Sequence, residues 1–219
     1  MAFLFQAVDS MYPTGSYAHS FGLEGLVEQQ IVLDAASLSN YLQRVQMPSL
    51  AHVDLPLVRL SHEAATREDI QRIVALGSLA HSLKGTRELR DASTKIGGQR
   101  LDLAIRLGGD VFLQAVRTRV KPHAAVVFGA ETARNGIAAG VAQSAFAYQA
   151  LAGTVSASMK LIRIGQDAAQ KTLREALAGV PAAIRTADEI DMKDVGWFSP
   201  LVDLASARHE SAYTRLFIS

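Results

Sequence analysis

Residues 135–159 read Asn135-Gly136-Ile137-Ala138-Ala139-Gly140-Val141-Ala142-Gln143-Ser144-Ala145-Phe146-Ala147-Tyr148-Gln149-Ala150-Leu151-Ala152-Gly153-Thr154-Val155-Ser156-Ala157-Ser158-Met159, without one charged side chain. The stretch is long enough to span a bilayer. Yet it is mostly Ala, Gly, Ser and Gln, which gain little in lipid, and Asn135, Gln143 and Gln149 are costly there. It reads instead as a helix buried on most sides at the centre of a soluble fold, from about Ile137 to Ile164. Gly136 to Gly140 matches a small-xxx-small pattern, which signals close helix packing or a dimer contact.

Outward from this helix, the signals stay helical. Toward the N-terminus, a helix begins near His123 and stops at Asn135-Gly136. Val111–Arg119 is a short helix, and Gly108-Gly109 ends a longer one that starts near Arg87. Ile70, Ile73, Val74, Gly77 and Ala80 form one face, preceded by a box-like Thr66-Arg67-Glu68-Asp69. Asp34 or Ser37 caps a helix with Leu38, Tyr41, Leu42 and Val45 on its apolar side. Pro48 ends that helix or starts the next, and Pro56 reads as a kink or first-turn residue. Ser20–Gln30 is helical by spacing. Toward the C-terminus, Gly165 ends the central helix, Gln166–Leu177 forms another, and 199–219 has helical spacing at Leu201, Leu204 and Ala205. Period-2 alternation is absent, so no strand is expected. The fold class is all-α, a bundle of about nine or ten helices around a near-apolar central one. Residues 1–219 are expected to form a single domain, with 186–198 an exposed acidic loop and 207–219 a tail.

Composition narrows the function. The 219 residues are 49% hydrophobic and 20% charged with a net charge of +1, so no global field recruits nucleic acid or an anionic membrane. There is no cysteine, which excludes a disulfide scaffold, a thiolate metal site and a cysteine nucleophile. Phosphate-loop, dinucleotide and nucleophile-elbow motifs are missing. His62-Glu63 and His209-Glu210 each begin like the H-E-x-x-H zinc motif but lack its second histidine, and no two histidines share a helix face at i, i+3 or i+4. His52-Val53-Asp54 is a weak metal pair whose plainer reading is a solvated polar edge.

Two ends of the chain are unusual. Residues 9–24 pack Pro13, Gly15, Ser16, Tyr17, His19, Phe21, Gly22 and Glu24 into one short run. The C-terminus runs Arg208-His209-Glu210-Ser211-Ala212-Tyr213-Thr214-Arg215-Leu216-Phe217-Ile218-Ser219, apolar where termini are ordinarily polar. Such a tail docks on its own body or is buried by a partner. Thr86-Arg87-Glu88-Leu89-Arg90 is either a solvated first turn or a polar patch for another protein.

Pro13-Thr14-Gly15-Ser16-Tyr17-Ala18-His19-Ser20-Phe21-Gly22-Leu23-Glu24 and the tail motif resemble the urease accessory protein UreF family. Thr86–Arg90, His123-Ala124-Ala125-Val126-Val127-Phe128-Gly129 and Leu161–Gln166 fall between them in the family's order, so the resemblance covers essentially the whole chain. The family often has proline where Arg163 stands and arginine where Ile218 stands. The resemblance implies an all-α, cytoplasmic, dimeric, non-catalytic adaptor without a cofactor or metal of its own. It implies assembly with UreD (also called UreH) and the GTPase UreG, regulation of that GTPase, and nickel delivery to apo-urease. Carried over, Arg208, His209, Glu210, Tyr213, Arg215, Leu216 and Phe217 form the tail that orders against UreD, with Arg215 holding it through guanidinium hydrogen bonds. Ser16, Tyr17, His19 and Glu24 lie on a face shared with the GTPase or the second protomer, and Arg87, Glu88 and Arg90 form a second patch. Pro13, Gly15, Gly22 and Gly165 are backbone requirements. Two other readings stand beside this one: a nickel-binding protein using His19 or His209, and a small enzyme using Ser16, His19 and Glu24.

Overall fold

The computed structural model describes residues 2–210 and 215–218, and no strand occurs among them. The helices are α1 (Ala2–Val8), α2 (Leu23–Glu28), α3 (Ala35–Tyr41), α4 (Met47–Ser49), α5 (Leu55–Thr66), α6 (Ile70–Leu83), α7 (Arg87–Gly108), α8 (Val111–Arg117), α9 (Ala124–Arg134), α10 (Ala139–Leu161), α11 (Gln166–Leu177), α12 (Val180–Asp188) and α13 (Pro200–His209). None is long and apolar enough to cross a membrane.

Local chemistry explains most boundaries. Asp34 caps α3 through a reciprocal box with Ser37, and Asp69, Thr86 and Asp110 cap α6, α7 and α8 through their side-chain oxygens. The cap of α6 is therefore Asp69, whereas Thr66 closes α5 and bonds back to the His62 carbonyl. Pro48 and Pro56 lie in the first turns of α4 and α5, as a proline at a helix start should, yet neither interrupts the helix. Helical backbone runs without a break from α3 to α5, through π-helical turns at Leu42–Gln46 and Leu50–Asp54. Each π turn lies just before a proline, Pro48 or Pro56. Widening the turn relieves the clash between the proline ring and the carbonyl four residues back. The His52 carbonyl, which Pro56 cannot serve, instead accepts the Gly196 N–H at 3.1 Å.

The loop expected over 186–198 is shorter than that, because α12 continues to Asp188. Pro181 sits in the first turn of α12, where a missing N–H costs nothing. The loop is also partly anchored: Val195 is buried, and Trp197 stacks on His52 with ring centroids 4.8 Å apart.

Apolar side chains form two cores. The first gathers α5, α6, α7, α8, α9 and the start of α10. The second gathers α2, α3, α11, α12 and the rest of α10. Phe146 packs against both and meets Phe128 edge to face at 5.4 Å. Glycine permits the tightest crossings: a Cβ on Gly129 would overlap Ser61 and the Val58 carbonyl of α5, and one on Gly97 would overlap the Pro122 carbonyl.

Helix α10 is buried or half-buried along most of its length, with Val141, Tyr148 and Met159 exposed along one face. It corrects one expectation. Gly136 and Gly140 make no close helix approach, for a Cβ at either meets nothing within 4 Å. Gly136 turns the chain instead, at φ 68°.

Candidate functional site

The two unusual ends of the chain meet. Gly22, left-handed at φ 88°, starts α2 and places Glu24 in its first turn. Thr86 starts α7 and places Glu88 in its first turn. Helix α13 brings His209 in its last turn. The acids sit at the positive ends of their helices and the histidine at the negative end of its own, each favoured by the helix dipole.

His209 is fully buried between the two acids, with Nδ1 2.9 Å from Glu88 Oε1 and Nε2 3.0 Å from Glu24 Oε2. Ser206 Oγ lies 3.2 Å from Glu88 Oε2 and 2.9 Å from Thr86 Oγ1. The tail then returns to the same acid. Leu216 N–H donates to Glu24 Oε1 at 2.7 Å and Phe217 N–H to Glu24 Oε2 at 2.9 Å. Ile218 N–H donates to the Ala18 carbonyl at 2.8 Å. The Phe217 ring is buried in the second core, under Lys160 Nζ at 5.4 Å from its centroid. Arg215 Nη1 stands 3.5 Å from Glu88 Oε1, so guanidinium, imidazole and two carboxylates share one seam.

Helix α13 reaches this position because α2 is smooth. Gly25 lies against α13, and a Cβ there would sit 2.6 Å from the Ala205 carbonyl. A Cβ on Gly22 would meet Val202 at 3.2 Å. Gly15 is also left-handed, at φ 73°, and faces Gln99. Gly165 is different: its φ of −74° suits any residue and nothing lies within 4 Å of its Cβ position, so it begins α11 without a glycine requirement. Pro13 is exposed.

The residues assigned to partner faces divide sharply. Glu24, Glu88, His209 and Phe217 are interior and engaged within the chain. Tyr17 and Leu216 are exposed, at 72% and 61%, and Ser16 is half-buried in the 3₁₀ turn Ser16–Ala18. His19 is buried, and burial first, then the Lys95 charge, pushes its ring toward the neutral form. Arg87 pairs with Glu210, and Arg208 donates to Gln29 Oε1 at 3.4 Å. Arg90 donates to the Lys84 and Gly85 carbonyls at 2.7 and 3.0 Å, closing the end of α6 rather than facing outward. Tyr213 lies outside the described residues. Sequence reasoning missed Thr86, Ser206 and Gly25 as members of the seam. Gly25 carries a readable signal, a second glycine three residues after Gly22 on one face of a short helix.

Glu24 accepts from His209 and from the two tail amides. His209 has both ring nitrogens on carboxylates. Among the described residues no group of three His, Cys, Asp or Glu could hold a metal ion.

The family model for UreF matches residues 32–177. Urease accessory protein UreF of Paenarthrobacter aurescens (strain TC1) is 31% identical, over 98% of this chain and 96% of that protein. The UreF proteins of Marinomonas sp. (strain MWYL1) and Chromohalobacter salexigens are also 31% identical, over 94% and 100% of this chain and 89% and 94% of theirs. With a family model matched over residues 32–177 and relatives 31% identical nearly from end to end, the chain belongs to the UreF family of urease accessory proteins, whose role is to assist an enzyme rather than to be one.

Proposed function

We propose that this chain is a homodimeric maturation adaptor that joins UreD (UreH) and the GTPase UreG, regulates that GTPase, and so supports nickel insertion into apo-urease in the cytoplasm. The observation that carries the reading is the seam itself. Its buried polar groups are satisfied within the chain, and around the docked tail the apolar Tyr17, Phe21, Leu216 and Ile218 are exposed beside the charged Arg87, Arg208 and Arg215. A surface of that kind, rigid beneath and partly apolar above, suits another protein better than solvent. The uncharged outer face of α10, with Val141, Tyr148 and Met159, favours a second copy of the chain as a further partner.

The test is co-purification with UreD and UreG, with light scattering on the eluted complex. The full chain is expected to capture both as a dimer-based assembly, and a chain ending at residue 207 is expected to capture neither. Retention of both partners by the shortened chain would refute the role of the tail. Failure of the full chain to bind either partner would refute the adaptor reading.

A further inference from the structure

We propose that His209 is a protonation-gated latch: its doubly protonated ring holds the C-terminal tail on Glu24, and loss of one ring proton releases residues 215–218 from the body. Its consequence for partner binding rests on the adaptor role above. The latch is a property of this chain alone.

The argument begins with donor arithmetic. A neutral imidazole has one N–H and one lone pair, whereas an imidazolium has two N–H donors. Both His209 nitrogens face carboxylate oxygens, at 2.9 Å and 3.0 Å. Only the imidazolium satisfies both contacts. A neutral ring sets a lone pair against an anionic oxygen, where the ring is 0% exposed and each glutamate side chain 7% exposed. Little water is present there to relieve the mismatch.

Every charged or titratable group facing this ring bears on the outcome. From α2 it is Glu24, and from α7 it is Glu88. From the tail it is Arg215, 3.5 Å from Glu88 and half-exposed. Glu210, next to His209 on α13, is taken by Arg87 at the surface. Thr86 and Ser206 add uncharged hydroxyls. With the ring protonated, two anions meet two cations. With the ring neutral, Arg215 is the cation left beside the two buried carboxylates among the described residues.

The weak point then lies at Glu24, which is shared. Each of its oxygens accepts one tail amide, from Leu216 or Phe217, and Oε2 also takes His209. Turning Glu24 toward water to escape the lone pair breaks both tail bonds at once. Among the described residues the tail's other anchors are the Ile218 N–H on the Ala18 carbonyl, the Phe217 ring in the second core with Lys160 over it, and Arg215 beside Glu88. The histidine state and the tail state are therefore linked through one carboxylate, and the linkage is reciprocal.

The experiment is hydrogen exchange on the full-length chain from about pH 5.5 to about pH 9, corrected for intrinsic rates, a window that brackets histidine titration. Protection of the Leu216 and Phe217 amides is expected to fall with rising pH, by up to about tenfold per pH unit once release begins, because one proton is involved. Glu88→Gln separates the latch from general loosening. Its amide can donate to a neutral Nδ1 while Nε2–H still serves Glu24, so its tail protection is expected to stay flat with pH. Nitrogen chemical shifts of His209 in the wild-type chain read the ring directly and should report two N–H groups while the tail is docked. The proposal is overturned by a neutral His209 in the docked state, by wild-type protection independent of pH, or by Glu88→Gln tracking the wild type. A chain whose tail responds to pH but captures neither UreD nor UreG would uphold the latch and refute the adaptor role.

Discussion

Arg100→Met should be among the most damaging single changes in this protein, although nothing in the sequence marks Arg100. Its guanidinium is 3% exposed and pairs with Glu131, which is 0% exposed, at 2.5 Å. It also donates to the Ala7 carbonyl at 2.5 Å and reaches Gln149 Oε1 at 3.4 Å. It lies 4.8 Å from the Tyr12 ring centroid and 4.6 Å from that of Phe128. Tyr12 OH donates to the other Glu131 oxygen at 2.7 Å, and burial, then the Glu131 charge, holds that hydroxyl well above its ordinary range. Removing the arginine leaves Glu131 in the core without its cation, with the Tyr12 hydroxyl as its remaining donor among the described residues, and takes a donor from the Ala7 carbonyl. Breaking a buried pair from one side costs about 3–5 kcal/mol. For a chain of this length each kcal/mol moves Tm by roughly 2–4 °C, so a fall of about 6–20 °C follows. Urea and thermal unfolding measure it. The counter-test is Tyr12→Phe/Arg100→Met/Glu131→Met, which removes both charges and the hydroxyl together. It should lose less stability than Arg100→Met alone, because no uncompensated charge remains. A loss under about 1 kcal/mol for Arg100→Met, or a triple variant worse than the single one, would refute the reasoning.

Two further outcomes are expected. Gly129→Ala, whose Cβ meets the α5 backbone, should destabilise by about 1–3 kcal/mol or more. Gly165→Ala, in open space, should stay within about 0.5 kcal/mol in the same unfolding assay, and equal effects at the two sites would contradict the packing described. His123 is pushed down to about 3, by burial first and then by the Lys84 charge. The unfolded chain therefore binds this proton more readily between about pH 6.5 and about pH 3. The stability tied to the neutral ring is whole above that window and drains away as pH falls through it, by at most about 1.4 kcal/mol per pH unit. His123→Asn should flatten that dependence in urea titrations, and an unchanged slope would exclude His123 as its source.

Legibility in the sequence followed the range of the interaction. The cap at Asp34, the start of α7 near Arg87 and the bounds of α9 and α11 are written in neighbouring residues and read correctly. Helix α1 went unread because its seven residues are too few for a period to show. Helix α12 went unread because Pro181 looks like a stop and is in fact a first-turn residue. The unbroken helix through Pro48 went unread because a π turn has no local signature. At the seam, the right residues stood out for the wrong reason. Glu24, Glu88 and His209 look like surface contacts in a linear reading, yet the bonds that bury them join positions as far apart as 24 and 209. Such pairings are invisible to periodicity, as is Arg100 meeting Glu131.

The interior charges of this protein are of two kinds, and the difference bears on how an accessory protein can change shape without chemistry. The Arg100–Glu131 pair is closed: its hydrogen bonds are made within the first core, and it ties α1, α7 and α9 into one body. The Glu24–Glu88–His209 cluster is open. Arg215, half-exposed on the tail, stands beside Glu88, and Glu24 is shared between His209 and the tail amides. A closed pair can only hold or fail, and it fails at a cost close to that of unfolding. An open cluster can exchange a proton, or the tail, for another ligand while the first core stays intact. Conformational response is therefore expected at residues 200–218 and at the first turns of α2 and α7, with α5, α9 and α10 unmoved. Hydrogen exchange that rose equally in α9 and in the tail on partner binding would contradict that division of roles.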